Sequence, residues 1–313
     1  MTSKRKTPPR PVVVFGDALD LHVLAVEDAL ARMDVPVVLL PPDGLRAGVP
    51  WEAAVSSRGL EVSGLWPNTV DRPRSVWAWR LPPPLIEPGP QFSTYARNHL
   101  AMALVLRWQE QGARIINPLE AGHGGQNKPW QLHCLARAGV VVPHTRVCLV
   151  PQDVTAAVAH LGDVILKPLA AGAFALRVRA GDVVPPVGLP CLAQTRAPGL
   201  DVRVTVVDGR IVACVGIPVA EHVADYRATT EYTSGRQRYT AVTLSAAHQR
   251  TVLRAVRALG LVFAGVDVRL DGNALVVLEA NPAPAFLDIQ EKTGLDVSGA
   301  LATALARERR LSR

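Results

Sequence analysis

Two carboxylates, an amide and two lysines carry the chemistry legible in this sequence. Across residues 266–281 (VDVRL, DGN, ALVVLEAN), two apolar β-rich runs flank an Asp-Gly turn signal, with acids where packing alone would not put them. A hairpin centred near Asn273 sets Asp267 opposite Glu279. The two-residue period of strands then gathers Asp267, Glu279 and Asn281 on one face. Such an all-oxygen cluster suits Mg²⁺, which takes few protein oxygens and completes its shell with water and phosphate. Acids that merely face water give the same pattern, so the rest of the chain has to decide. Lys128 opens a helix, against the macrodipole, which makes it either a surface lysine or a group aimed at a shared anion. Lys167 ends the apolar run Asp163-Val164-Ile165-Leu166, and a lysine in an otherwise buried strand needs a partner or a ligand phosphate.

The elements that must position these groups follow from periodicity. Residues 11–40 read strand, helix, strand, a βαβ unit; Gly16-Asp17-Ala18 lacks the further glycines of a dinucleotide fingerprint. Residues 76–80 read as a strand, 81–84 as a proline break, 98–111 as a helix and 114–118 as a strand ended by proline. The glycine-rich run 121–126 reads as a linker-like loop, followed by a helix from Lys128 that Gly139 caps. Residues 191–197 form a strand into the Pro198-Gly199 turn. Residues 201–207 and 210–215 form a second hairpin through Asp208-Gly209, with Asp201 and Arg203 on one side. An exposed pair there is an ordinary surface salt bridge worth about 0–1 kcal/mol. Residues 222–239 are a polar loop rich in Arg (227, 236, 238) and Tyr (226, 232, 239), and long loops of this kind are often functional. Helices over 246–259 and from about 297 to 307 complete the pattern.

Composition bounds the function. At 313 residues the chain has room for two or three lobes, and 49% apolar residues with a mean hydropathy of +0.17 describe a folded globular protein. No apolar run approaches the roughly 18 residues of a membrane span, and the short run after the basic N-terminus is no signal peptide; a cytoplasmic protein is expected. Cys134, Cys148, Cys191 and Cys214 are widely spaced in apolar contexts, as buried free thiols are. The net charge of +7 implies anionic company, but Lys and Arg cluster only at the two ends. Aromatics at 5% and the lack of a recognition motif argue against a nucleic-acid partner.

Taken in order, Lys128, Lys167, Gln194, Asp201-x-Arg203, Asp225-Tyr226-Arg227, Ala264-Gly265-Val266-Asp267, Leu278-Glu279-Ala280-Asn281-Pro282-Ala283-Pro284 and Lys292-Thr293-Gly294-Leu295-Asp296 resemble the ATP-grasp superfamily, in its RimK-like branch. The resemblance implies an α/β ATP-grasp fold with an N-terminal pre-ATP-grasp βαβ domain and two α+β lobes enclosing ATP. Its boundaries would be a basic disordered tail over 1–11, the N-terminal domain over 12–118, a central lid lobe over 119–193 and a C-terminal lobe with the metal site over 194–313. It also implies roles. Lys128 and Lys167 neutralise ATP phosphates, the segment Gln194, Thr195, Arg196 and Ala197 receives the adenine, and Asp201 lies near the ribose. Asp267, Glu279 and Asn281 hold Mg²⁺, expected as two ions and replaceable by Mn²⁺. Arg203 and Arg227 stabilise the transferring phosphoryl group or the acyl-phosphate. The reaction implied is ATP-dependent, ADP-forming joining of a carboxylate to an amine or hydroxyl, which asks for positioning and cations rather than an enzyme nucleophile.

Asp20-Leu21-His22, residues 75–80 and Asn98-His99-Leu100 look like features of the ligases that macrocyclise ribosomal peptides, the microviridin or graspetide type. An acidic precursor peptide would suit a chain of charge +7 with an Arg-rich loop. A RimK-like ligase adding an amino acid to a small molecule or a protein terminus is the competing enzyme reading; a non-catalytic peptide- or nucleic-acid-binding protein is the competitor of another class. A homodimer is one assembly the sequence leaves open. Three departures bear on nucleotide affinity: Gly172 stands nearly alone where a glycine-rich loop is usual, Thr195 replaces a frequent glutamate, and Ala285 replaces a frequent glycine.

Overall fold

The computed structural model describes residues 9–40, 51–57, 59–64, 70, 72–79, 92–169, 174–220 and 222–307. Most of the expected basic tail, the proline break at 81–84 and the segment around Gly172 lie outside the described residues. The chain divides into two compact units, residues 1–120 with 296–313, and residues 121–295.

The first unit is built on β1 (Val12–Phe15), α1 (Leu21–Arg32), β2 (Val37–Leu40), β5 (Ser75–Ala78), α2 (Phe92–Glu110) and β6 (Arg114–Ile116), with β3 (Trp51–Ser56) and β4 (Gly59–Gly64) as a separate hairpin. The βαβ expectation is met: the sheet runs β2-β1-β5-β6 with every pairing parallel. β1 is an unbroken apolar run and fully buried, as the interior strand of a parallel sheet must be. Asp20 caps α1, its Oδ1 accepting from the His22 amide at 2.9 Å while Oδ2 accepts from Trp79 Nε1 at 2.7 Å.

The last helix, α9 (Val297–Ala306), belongs to this unit and packs on α1 and β5. Its terminal carbonyls would be orphaned, yet side chains from the parallel sheet supply donors. Arg74 Nη1 donates to Ala306 O at 2.8 Å, Ser75 Oγ to Leu305 O at 2.6 Å and Arg114 Nη1 to Ala304 O at 3.1 Å.

The second unit contains α4 (Lys128–Arg137), β7 (Thr145–Cys148), α5 (Pro151–Leu161), β8 (Val164–Pro168), β9 (Leu176–Val178), β10 (Cys191–Thr195), β11 (Leu200–Val207), β12 (Arg210–Ile217), α6 (Thr230–Thr233), β13 (Thr240–Ala241), α7 (Ala246–Ala258), β14 (Phe263–Asp271), β15 (Ala274–Asn281) and α8 (Leu287–Thr293). Its strands form two antiparallel sheets, β7-β10-β8-β9 and β13-β12-β11-β14-β15. α5 lays Val154, Ala157 and Val158 on the first sheet, and α7 lays Val252, Ala255 and Val256 on the second, where Leu135 of α4 joins the same core.

One expectation fails. The glycine-rich run 121–126 is helical, forming α3 (Leu119–Gln126). Packing overrides its poor propensity. Ala121 lies on the core of the second sheet, and a Cβ at Gly125 would meet Pro282 at 3.5 Å and Leu261 at 3.6 Å, so small residues let this helix approach.

Ser75 is fully buried, so Ser75→Ala leaves the Leu305 carbonyl without its donor and should cost about 1–3 kcal/mol of unfolding free energy. Urea titration of the variant checks this; an unchanged midpoint would show that the Ser75 bond to α9 contributes nothing.

Candidate active site

The opening hairpin exists, and its register contains a device the sequence did not show. β14 and β15 pair from Asp271↔Ala274 through Val268↔Val277, then shift by one residue so that Asp267 faces Glu279. Without that β-bulge a two-residue turn would set Asp267 against Leu278 and send Glu279 to the other face. The extra residue in β15 re-aims the acid. On the other side of β14, β11 places Arg203 opposite Asp267. One rung therefore crosses three strands: Arg203, Asp267, Glu279.

The rung is strongly charged. The Arg203 guanidinium, on a residue only 9% exposed, grips Asp267 as a fork: Nη2 donates to Oδ2 at 2.9 Å and Nε to Oδ1. Burial pushes Asp267 up to about 6; Arg203 opposes the rise and the charge of Glu279 adds to it. Burial also penalises the Glu279 carboxylate, but Lys167, Lys128, Arg203 and Arg227 together outweigh it and hold Glu279 below its ordinary value. Lys128 is moved down from the usual lysine range, by burial first and then by Lys167 and Arg227, against the pull of Glu279 and Asp225. Its Nζ donates to the carbonyl of Pro168 at 2.8 Å, beside Lys167 at the end of β8. α4 delivers Lys128 because Asn127 caps it, its side chain accepting from the Trp130 amide at 3.1 Å, and Pro129 suits the first turn.

The loop over 222–239 contributes a second fork. Asp225 is buried and accepts from Arg227 Nε at 2.8 Å and Nη2 at 2.6 Å, and from the Ala175 amide at 3.3 Å. Arg227 is half exposed, so it presents the outer part of its guanidinium while Asp225 fixes the inner part.

The donor set fits a hard cation. Among the described residues, no hydrogen-bond donor or ion-pair partner reaches the Glu279 carboxylate directly, although it is partly buried among cations. Asn281 Oδ1 accepts one bond, from the Ala283 amide at 2.9 Å, and keeps a second lone pair. No group of three or more His, Cys, Asp or Glu converges among the described residues. The Lys167 ammonium is likewise without a hydrogen-bond or ion-pair partner among the described residues.

Other expected site residues are placed differently. Asp201 and Arg203 share a strand face but do not pair with each other: Asp201 binds Arg269, its cross-strand neighbour, at 2.6 Å, and Arg203 binds Asp267. Gln194 is buried, with Nε2 donating to Thr145 Oγ1 at 3.0 Å, and the Thr195 amide donates to His144 O at 2.9 Å. The Arg196 amide donates to Asp163 O at 2.9 Å, whereas Ala197 enters no hydrogen bond among the described residues. Gln131 and Arg269 were missed. A polar Gln131 one turn after Lys128, on the face that carries Leu132 and Leu135, was the available signal.

Residues 193–305 match the RimK-like ATP-grasp domain. A Shewanella loihica protein bearing the name "Probable alpha-L-glutamate ligase" is 26% identical over 211 residues, 63% of this chain and 68% of that protein. The structure of the ATP-grasp ligase PsnB complexed with a phosphomimetic variant of minimal precursor, Mg and ADP superposes with a TM-score of 0.77 at 25% identity, covering 94% of this chain and 97% of that one. The macrocyclase MdnC bound with precursor peptide MdnA, from Microcystis aeruginosa, gives a TM-score of 0.72 over 94% of this chain and 98% of its own, at 16% identity, a likeness of fold. Among the described residues no helix is long and apolar enough to cross a membrane.

An Asp267 value raised to about 6 means that folding favours its protonated form; that contribution is full below about 3.8 and is lost as pH rises through about 6. A divalent cation requires the ionised form, so it competes with the proton. The rise in Tm produced by Mg²⁺ with ADP should therefore grow as pH increases through about 6 and level off above about 7. A shift that is flat across this interval would remove Asp267 from the cation site.

Proposed function

We propose that this chain, whose residues 193–305 match a RimK-like ATP-grasp domain, activates a carboxylate with ATP and joins it to a side-chain amine or hydroxyl of an acidic ribosomal precursor peptide, closing a macrocycle. The observation that carries the reading is the Glu279 carboxylate, held ionised by Lys128 and Lys167 and reached by no protein donor among the described residues. A partly buried acid without a partner is costly unless a ligand completes it.

In this reading Glu279, Asp267 and the Asn281 carbonyl would hold Mg²⁺, as two ions that Mn²⁺ would replace, and the bound cation would supply charge neutralisation for phosphoryl transfer. Lys128 and Lys167 face the phosphates. Ala197 and the backbone beside it meet the adenine, and Asp201, oriented by Arg269, lies near the ribose. A substrate carboxylate oxygen attacks the γ-phosphorus as the bond to ADP breaks, giving an acyl-phosphate. The amine or hydroxyl then attacks the acyl carbon and loses its proton. The carbon–oxygen bond to phosphate breaks, and phosphate departs with the oxygen that came from the carboxylate. Arg227, steadied by Asp225, is placed to stabilise that phosphate, while Arg203 is committed to orienting Asp267.

The likeness to PsnB and MdnC, both solved in complex with a precursor peptide, and the basic loop with Arg227, Arg236 and Arg238 support a peptide substrate. The match to a protein named as an α-L-glutamate ligase favours the second reading, addition of an amino acid to a small molecule or protein terminus.

Asp267→Asn and Glu279→Gln should each lower ADP formation at least a hundredfold with peptide and Mg²⁺ present, since one carboxylate ligand fewer removes much of the clamp on the transferring group. With the parent chain and an acidic peptide containing Thr, Ser or Lys, mass spectrometry should read the loss of one water for each crosslink. Turnover with free glutamate and none with peptide would move the assignment to the amino-acid ligase.

A further inference from the structure

β15 is the edge strand of its sheet, so the peptide groups on its outer side have no neighbouring strand. At Ala280, between Glu279 and Asn281, a side chain takes that strand's place. The Gln131 Oε1 accepts from the Ala280 amide at 2.8 Å, and Nε2 donates to the Ala280 carbonyl at 2.9 Å. The second Nε2 proton goes to the carbonyl of Gly125 at 2.6 Å, at the end of α3. Gln131 is 3% exposed and Ala280 fully buried, so these bonds are shielded from water.

The two Ala280 groups belong to two different peptide planes. The N–H lies in the plane joining Glu279 to Ala280, and the C=O in the plane joining Ala280 to Asn281. Holding both fixes the direction in which the flanking Cα–Cβ bonds leave the strand. This restraint falls just beyond the bulge, where the ladder to β14 is irregular. Gln131 also stands one turn after Lys128 on α4, so the clamp sets the separation between a phosphate-facing ammonium and the acids.

We propose that Gln131 is a positioning residue for the cation site: by acting as a surrogate strand at Ala280 it orients Glu279 and Asn281 and registers them against Lys128. The proposal rests on the reading of Asp267, Glu279 and Asn281 as the cation ligands. Outer partners that orient metal ligands are worth about 10–100-fold in affinity, and Gln131 differs from most of them in acting through the backbone.

The test is calorimetric titration of ADP with and without Mg²⁺, on the parent chain and on Gln131→Met, Gln131→Asn and Glu279→Gln. In Gln131→Met the affinity gained from Mg²⁺ should fall about tenfold while metal-free ADP binding stays within about twofold of the parent. Gln131→Asn, which keeps an amide on a shorter stem, should lose part of the gain. A folded Gln131→Met with the parent's Mg²⁺ gain overturns the proposal; if that variant does not fold, an undiminished gain in Gln131→Asn does the same. Glu279→Gln separates the two levels: loss of the gain there with none in the Gln131 variants refutes the clamp alone, whereas retention in Glu279→Gln refutes the cation site on which it rests.

Discussion

The second unit is organised around an electrostatic mismatch on one rung of its larger sheet. Arg203 and Asp267 satisfy each other, Arg227 and Asp225 satisfy each other, and Lys128 and Lys167 then face Glu279 with one positive charge in excess. Removing these groups from water is unfavourable, and among the described residues no side chain hydrogen-bonds or ion-pairs with the Glu279 carboxylate or the Lys167 ammonium. In the proposed function, a polyphosphate with its divalent cation would supply what each lacks: oxygens for the lysines and a positive ion for the acid. The site is thus stabilised by what it binds, a general expectation for ligands that bind only the folded state.

Backbone devices keep this mismatch in place. The bulge in β15 sets Glu279 against Asp267, Gln131 covers the outer edge of the same strand, and the amide of Val277 donates to Val141 O at 2.9 Å further along that edge. A tight approach at Gly199 holds the entry to β11, with a Cβ placed 2.3 Å from the Leu270 carbonyl and φ at +96°. Only glycine fits there, and the turn it makes brings Asp201 level with Arg269. Geometry of this kind makes phosphoryl transfer a matter of preorganised charge rather than of a reactive side chain.

Much of this was legible from sequence where a period or a turn signal spoke for it. The parallel βαβ unit, both hairpins and the apolar strand carrying Lys167 follow from alternation and Asp-Gly turns, whereas the pairing of Asp267 with Glu279, expected from a hairpin centred near Asn273, depends on the bulge in β15 that no turn signal shows. Other features depended on long-range packing. The run 121–126 looked like a loop because glycine has poor helix propensity, yet its small residues are what allow α3 to pack beside Leu261 and Pro282. Asp201 and Arg203 looked like a surface pair, but the register of β11 on β14 gives each a different partner. The Gln194 side chain donates to Thr145 across the sheet, a partner that no periodicity could name. Gln131 was visible as a polar residue on a buried helical face; its partner, 149 residues away, was not.

The central claim is that a substrate carboxylate is converted to an acyl-phosphate beside Glu279, and the fate of an oxygen atom tests it directly. With the acceptor carboxylate labelled with oxygen-18 and unlabelled ATP, the account predicts that each crosslink releases phosphate carrying one labelled oxygen, read by mass spectrometry or by the ³¹P isotope shift. Product formed with unlabelled phosphate would contradict it.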